Sequence, residues 1–319
     1  MSATPVVLLM SAGGYQGLAL VRALRELGGL RLIVSDCHEE CTTRYFADRF
    51  VQSPLIAEQT RFADFVLDLC ASEGVGHVFA STNLELKALE ALRGRLQNLG
   101  VTLHVSLPAA LALGADKLAF YRWAEQRGLG CLPSYSSPRT APLQLGELLG
   151  KRRDGFGSKS LLKVKAGESP AGMAPADLEG YVWQPCLTEF EEYSLDFAVT
   201  PLGVVTAAAL RRRIRTVSGF AVLCEPGAPV AVEALAQHAA QALAADGARG
   251  PLNLQILWAG GQAYVSDFNP RVGTSMPLSL VAGVNPLAGL LGRADPPAST
   301  HARRSFRYLS ERAVHVHDL

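Results

Sequence analysis

Asp267, Asn269 and Arg271 recur at every second position in Tyr264-Val265-Ser266-Asp267-Phe268-Asn269-Pro270-Arg271-Val272-Gly273-Thr274-Ser275. On a strand, that spacing puts them on one face. A carboxylate and an amide oxygen are hard donors suited to Mg²⁺ (or Mn²⁺), which takes a few protein oxygens and fills its shell with phosphate oxygens. Arg271 adds a fixed planar cation for a phosphate oxygen. Pro270 ends the ladder, and Gly273 lets the chain turn away. The chemistry implied is metal-assisted handling of phosphate.

The partner strand is expected at Leu252 to Trp258, inside Gly250-Pro251-Leu252-Asn253-Leu254-Gln255-Ile256, joined through Ala259-Gly260-Gly261-Gln262. Gln255 shares the face of Asp267 only if paired residue numbers sum to an even value. That requires an odd loop such as Gly260-Gly261-Gln262, and a two-residue Gly260-Gly261 turn would put Gln255 on the opposite face. The odd loop is predicted.

Gly-Pro-x-Asn-x-Gln followed by acid-x-Asn-Pro-Arg-x-Gly-x-Ser resembles the ATP-grasp superfamily, in particular its carbamoyl-phosphate-synthase-like and PylC-like carboxylate–amine ligases. The resemblance covers nearly the whole chain. It implies an α/β fold: a Rossmann-like pre-ATP-grasp domain over residues 1–115, then two α+β lobes, a small one with a trimmed lid over 116–187 and a C-terminal one with the metal site and tail over 188–319. By the same resemblance Gln255, Asp267 and Asn269 hold Mg²⁺.

The elements that must position these groups follow in order. Val6 to Met10 is an apolar run, Leu18 to Leu27 has helical spacing, and Leu30 to Ser35 is a second apolar run, which together make a βαβ unit. Ala12, Gly14 and Gly17 take the glycine positions of a dinucleotide fingerprint and Asp36 that of its ribose acid, but the first glycine is missing. The resemblance implies a domain that binds no dinucleotide and whose loops line a substrate cleft. Thr82, Asn83 and Glu85 follow the strand His77 to Ala80, where a doubly wound sheet places ligand contacts; a helix-start acid is the competing role for Glu85.

Asp116-Lys117 opens a helix, and the resemblance puts Lys117 on nucleotide phosphate. Ser160 to Lys165 reads as a strand with Lys163 and Lys165 on one side, followed by the small-residue loop Ala166 to Met173. Aligned with the family's Val-Lys-Pro strand and flap, Lys163 is the phosphate lysine, with Lys165 the alternative. Val164 stands where proline is usual, and Glu168 adds a negative charge. Tyr181 to Leu187 resembles the strand that passes the adenine, binding it through the Gln184 carbonyl and the N–H of Leu187 or Cys186. Glu192, in Glu-Tyr-Ser-Leu-Asp, would accept from ribose hydroxyls, with Asp196 structural. In Arg211-Arg212-Arg213-Ile214-Arg215, extended chain puts Arg211, Arg213 and Arg215 on one face. A cleft wall neutralising phosphate and an acyl phosphate is the preferred role. Arg213 is chosen as the transition-state cation beside Arg271, with Arg211 and Arg215 left open.

Composition limits the alternatives. The 319 residues are 49% hydrophobic and 18% charged, enough for a sizeable core, and the net charge of +1 sets up no field for nucleic acid or anionic membrane. No run approaches the roughly 20 apolar residues of a membrane span. Six scattered cysteines read as reduced thiols of a cytoplasmic protein rather than a disulfide framework, and Cys37-His38 with Cys41 lacks a second zinc-spaced pair. The expected function is an ATP-dependent carboxylate–amine, or amino-acid, ligase that joins small molecules through an acyl phosphate to give an amide or peptide bond, with a homodimer consistent with family analogy. The alternatives are carbamoyl-phosphate-type chemistry on carboxyphosphate or carbamate, and a regulatory nucleotide-binding protein with a weakened site. The tail 295–319 carries no usable motif.

Overall fold

The computed structural model describes residues 4–155, 161–170, 172–293 and 304–307. Ser160 and Ala171, and the tail apart from 304–307, lie outside the described residues. The first sheet is parallel, in the order β3-β2-β1-β4-β5, with β1 Val6–Met10, β2 Arg31–Asp36, β3 Arg49–Gln52, β4 His77–Ala80 and β5 Thr102–His104. Its inner strands β1, β2 and β4 are short, mostly apolar runs buried on both sides, as a sheet covered by helices on two faces requires, and the edge strand β3 is only part-buried. This is the expected Rossmann-like domain.

A small antiparallel sheet follows, with β6 (Glu147–Arg152) between β7 (Leu162–Lys165) and β8 (Tyr181–Pro185). The period of two divides it sharply. Leu148, Val164 and Trp183 face a small core, and the register puts Glu147, Leu149, Lys151, Lys163, Gln184 and Cys186 on the other face. Gly150 lies under Trp183, where a Cβ would come within 2.5 Å of the indole.

The large sheet runs β13-β12-β9-β10-β11-β14 and is antiparallel, with β9 Glu191–Val199, β10 Ala209–Val217, β11 Phe220–Pro226, β12 Gly250–Ala259, β13 Gln262–Asn269 and β14 Ser305–Phe306. One face is apolar. Tyr193, Leu195, Phe197, Leu252, Leu254, Ile256, Val265 and Phe268 pack there against the helices Lys117–Gln126 and Val230–Ala245. Phe120, Tyr121 and Trp123 thus bury themselves in the large lobe, although their helix precedes the small sheet in the chain. The other face carries Glu192, Ser194, Asp196, Arg211, Arg213, Asn253, Gln255, Asp267 and Asn269 by register.

The first domain is fixed to the large lobe. Val272, Met276, Leu280, Leu287 and Leu290 share one core with β1 and its helix Tyr15–Leu27. Asn285 Nδ2 donates to the Ala23 carbonyl at 2.9 Å, and Ser106 and Arg249 exchange two hydrogen bonds. Gly250, at φ 77°, lets β12 start against β5: a Cβ there would fall 2.2 Å from the His104 carbonyl oxygen. None of the helices among the described residues is long and apolar enough to cross a membrane.

Candidate active site

The β12–β13 hairpin closes with the two-residue turn Gly260-Gly261, both at positive φ (56° and 78°), with Ala259 opposite Gln262. The odd loop expected from the parity argument is not formed. Two adjacent glycines favour the tight primed turn, whose twist matches the strands. Gln255 nevertheless stands opposite Asp267. The register shifts between Ile256–Val265 and Gln255–Asp267, leaving Ser266 as the extra residue of a β-bulge. The bulge, not the loop, changes the parity. Its Ser266 carbonyl accepts from the buried Tyr121 hydroxyl, so the helix below stabilises the irregularity. Gln255 and Asp267 therefore share a face, with Asn253 opposite Asn269 two residues further on.

Three cations gather around Asp267. Lys117 Nζ donates to its Oδ1. Asp116 caps the helix that begins with Lys117, accepting from Leu118 N at 2.9 Å, and also binds the Arg153 guanidinium beyond β6. This cap sets where Lys117 points. Lys151, at the cleft-facing side of β6, donates to Gln184 Oε1 at 3.0 Å, and Gln184 Nε2 donates to Ser134 Oγ at 2.9 Å. Burial draws the Lys151 pKa down to about 8; Lys117 adds to the fall, while Asp267 and Glu192 oppose it. Arg271 is likewise lowered by burial, with Asp267 opposing, and among the described residues its Nη1 donates only to the Val272 carbonyl, at 2.7 Å.

Lys151 is the residue missed by the sequence reading. Lys163, chosen instead, is on the outer strand β7, 61% exposed, and paired with Glu147 at 3.1 Å near the Cys186 thiol. Lys165 is also exposed. A signal existed: Lys151 ends a strand and is followed by Asp154-Gly155-Phe156-Gly157-Ser158, a small-residue stretch of the kind that admits phosphate. Residues 156–160 lie outside the described residues.

The adenine-strand expectation also changes. Trp183 exchanges both backbone hydrogen bonds with Tyr135, and the Cys186 N–H donates to the Glu147 carbonyl at 2.9 Å. Successive residues of a strand turn their polar groups to opposite edges. The Gln184 carbonyl and Cys186 N–H are therefore directed into the sheet, and the outer edge offers the Pro185 carbonyl and Leu187 N–H. The Gln184 side chain serves Lys151.

The arginine row does not remain on one face. A register shift between Arg213 and Arg215 breaks the alternation, and Arg215 is exposed. Arg211 is buried, bound to Asp196 and donating to the Ser275 carbonyl at 3.0 Å. Arg213 faces the cleft, its Nη1 3.3 Å from Glu192 and its Nη2 donating to the Gly219 carbonyl at 2.8 Å. Asp196 is structural, as expected: it also accepts from Asn253 at 2.7 Å and Ser279 at 2.8 Å.

The two N-terminal acids serve their own loops. Asp36 accepts from Gly13 N at 2.7 Å and His38 N at 2.9 Å, occupying the amide a dinucleotide phosphate would need. Glu85 accepts from Ser81 N, Thr82 N and Thr82 Oγ1, and burial raises its pKa to about 7.

Among the described residues, no three His, Cys, Asp or Glu side chains form a metal cage. The available donors are the Asp267 carboxylate and the amide oxygens of Gln255 and Asn269; Asn269 Nδ2 already donates to Asp267 Oδ2 at 3.3 Å. This set fits a hard divalent cation that completes its shell with phosphate.

Residues 7–104 match the PylC-like N-terminal domain. No curated protein matches the chain. Among solved structures, biotin carboxylase of Campylobacter jejuni is similar at 14% identity and TM-score 0.69, over 92% of this chain and 72% of that one. N5-carboxyaminoimidazole synthetase of Staphylococcus aureus, complexed with ADP, is similar at 15% identity and TM-score 0.71, over 93% and 79%. The biotin carboxylase domain of Hydrogenobacter thermophilus 2-oxoglutarate carboxylase, complexed with MgADP, ADP and bicarbonate, is similar at 12% identity and TM-score 0.65, over 87% and 66%. At these identities the likeness establishes the fold, and that fold is the ATP-grasp arrangement expected from the sequence.

Proposed function

We propose that the chain is an ATP-dependent carboxylate–amine ligase working through an acyl phosphate. One observation carries this reading: Lys117 binds Asp267, Lys151 and Arg271 lie within its electrostatic reach, and with Arg213 these four cations face only two carboxylates, Asp267 and Glu192. Buried cations in excess repel one another and lose solvation, so the cluster is matched to a polyanion such as a triphosphate.

The adenine lies against the outer edge of β8, accepting from the Leu187 N–H and donating to the Pro185 carbonyl. Glu192 accepts from the ribose. Lys117 and Lys151 hold phosphate oxygens, with Lys151 oriented by Gln184. Asp267, Asn269 and Gln255 would hold Mg²⁺, which supplies charge neutralisation between phosphates. A substrate carboxylate oxygen attacks the γ-phosphorus, the bond to the β-phosphate oxygen breaks, and ADP leaves. Arg271 and Arg213 balance the charge on the transferred group. The amine nitrogen then attacks the acyl carbon, the carbon–oxygen bond to phosphate breaks, and the amine proton passes to solvent. Positioning and electrostatics carry such a transfer with little acid–base chemistry from side chains.

A second reading takes bicarbonate as the acid. It is favoured by the bicarbonate named in the H. thermophilus complex. Phosphate release from Mg-ATP, measured against a matrix of amino acids, small carboxylates and bicarbonate, tests both. Release that depends on an organic acid and is lost in Asp267→Ala supports the ligase; release dependent on bicarbonate alone supports the second reading. No ATP binding would overturn both.

A further inference from the structure

The polar face of the large sheet continues past Arg213 to the opposite edge. Arg213 stands opposite Cys224, and Cys224 opposite Ser305. Arg307, two residues beyond Ser305, therefore points to the same face. Its backbone N–H donates to the Val222 carbonyl at 2.9 Å. Its Nη2 donates to the carbonyl of Thr274, in the segment that follows Arg271. Among the described residues Arg307 makes no ion pair, and burial depresses its pKa. A guanidinium has five N–H donors, and one carbonyl leaves most of that fork unused. A cation withdrawn from water without a counter-charge is matched to an incoming anion.

The N-terminal domain closes the space beside it. Tyr15 packs edge-on against Phe220, with ring centroids 5.4 Å apart at 61°. Phe220 follows the turn Ser218-Gly219, with φ 49° and 80°, and Arg213 holds the Gly219 carbonyl of that turn. The cleft arginine thus fixes the hairpin tip that carries the aromatic ring. Tyr15 stays 64% exposed, so much of its ring is available for contact. β10, β11 and β14 are successive strands, and Arg307 lies beside Val222, two residues along from the Cys224 opposite Arg213, which puts the two backbones about 12 Å apart. That span suits one amino acid and is too short for a macromolecular chain to be threaded across it.

We propose that Arg307, Tyr15 and Phe220 form a subsite for an amino-acid substrate. The α-carboxylate pairs with the Arg307 fork, the apolar side chain lies against the Tyr15–Phe220 pair, and the amine faces the cleft. This rests on the ligase reading and specifies its amine.

The test is calorimetry on the full chain with Mg²⁺ and a non-hydrolysable ATP analogue, using L-phenylalanine, phenethylamine and L-alanine as probes. L-Phenylalanine is expected to bind. Phenethylamine, which differs only in lacking the carboxylate, should bind at least about tenfold more weakly, the value of one charge-assisted contact. Arg307→Gln should bring L-phenylalanine to the phenethylamine level while leaving the analogue's affinity within about twofold. Phe220→Ala should bring it to the L-alanine level, which gives an independent reading if Arg307→Gln fails to fold. Equal binding of phenethylamine, or no effect of either variant, overturns the proposal. So does failure of all three probes while the analogue binds. If the analogue does not bind but the phenylalanine contrasts persist, the subsite holds and the ligase reading falls.

Discussion

Arg211 and Arg271 border the same polar sheet face, and both are withdrawn from water. Arg211 is matched: Asp196, the Ser275 carbonyl and the Ser275 hydroxyl surround it. Asp196 in turn is held by Asn253 and Ser279. Among the described residues Arg271 has only the carbonyl of its own neighbour, in a region where Lys117, Lys151 and Arg213 already outnumber Asp267 and Glu192. Balanced charge ties the segment carrying Ser275 and Ser279 to the sheet. Unbalanced charge marks a place built for something else to complete, and perturbed groups of that kind concentrate at functional sites.

The largest effect should come from disturbing the balanced region. Arg211→Ala leaves Asp196 buried without its counter-charge and should cost about 3–5 kcal/mol in denaturant unfolding. If stability is unchanged and only activity falls, Arg211 belongs to the site after all. Next is Lys151→Met, which should lower nucleotide-dependent turnover by about 10²-fold or more with an unaltered thermal midpoint. A thermal shift without a turnover defect would reverse the assignment.

A smaller change is expected with pH. The Lys151 ammonium loses its proton as pH rises through about 8. Nucleotide affinity should therefore fall about tenfold between pH 7 and 9, and Lys151→Met should remove that dependence. In the first domain, His104 is fully buried, stacked on Phe79, and depressed to about 3 by burial, with His77 and Arg93 adding to the fall. As pH drops below about 6.5 the unfolded chain takes up a proton that the native state refuses, so stability should decline towards pH 3. His104→Phe should flatten that limb of the curve, as followed by circular dichroism. The smallest effect belongs to Lys163→Ala. Its exposed pair with Glu147 is screened by solvent, and ATP turnover should change less than about twofold.

Much of this architecture is legible in the chain. The β12–β13 motif signalled the polar face and the three side chains proposed to hold metal, because alternation along one strand is a local property. Asp116-Lys117 was legible for the same reason, as a cap and the residue after it. What escaped depended on distant partners. Lys151 could be told from Lys163 only by knowing which strand of the small sheet is central, which is set by pairing between residues 147–152 and 181–185. The edge of β8 was misjudged because Tyr135, nearly fifty positions earlier, takes the Trp183 groups. The arginine row followed alternation until the bulge at Ile214 ended it.

The single-residue bulge at Ser266 has a consequence for how this hairpin can change. It uncouples the length of the turn from the phase of the site. Lengthening the Gly260-Gly261 turn would leave the pairs beyond it, Gln255 with Asp267 among them, facing each other, so the tip is a tolerant place for insertion or for grafting a tag. Deleting Ser266 would make Val265 and Asp267 neighbours in a regular ladder with Gln255 still opposite Asp267, whereas straightening the bulge with Ser266 retained would pair Gln255 with Ser266 and turn Asp267 to the other face. The site thus depends on the backbone irregularity for as long as Ser266 is present, and a hairpin without that residue would have no need of it.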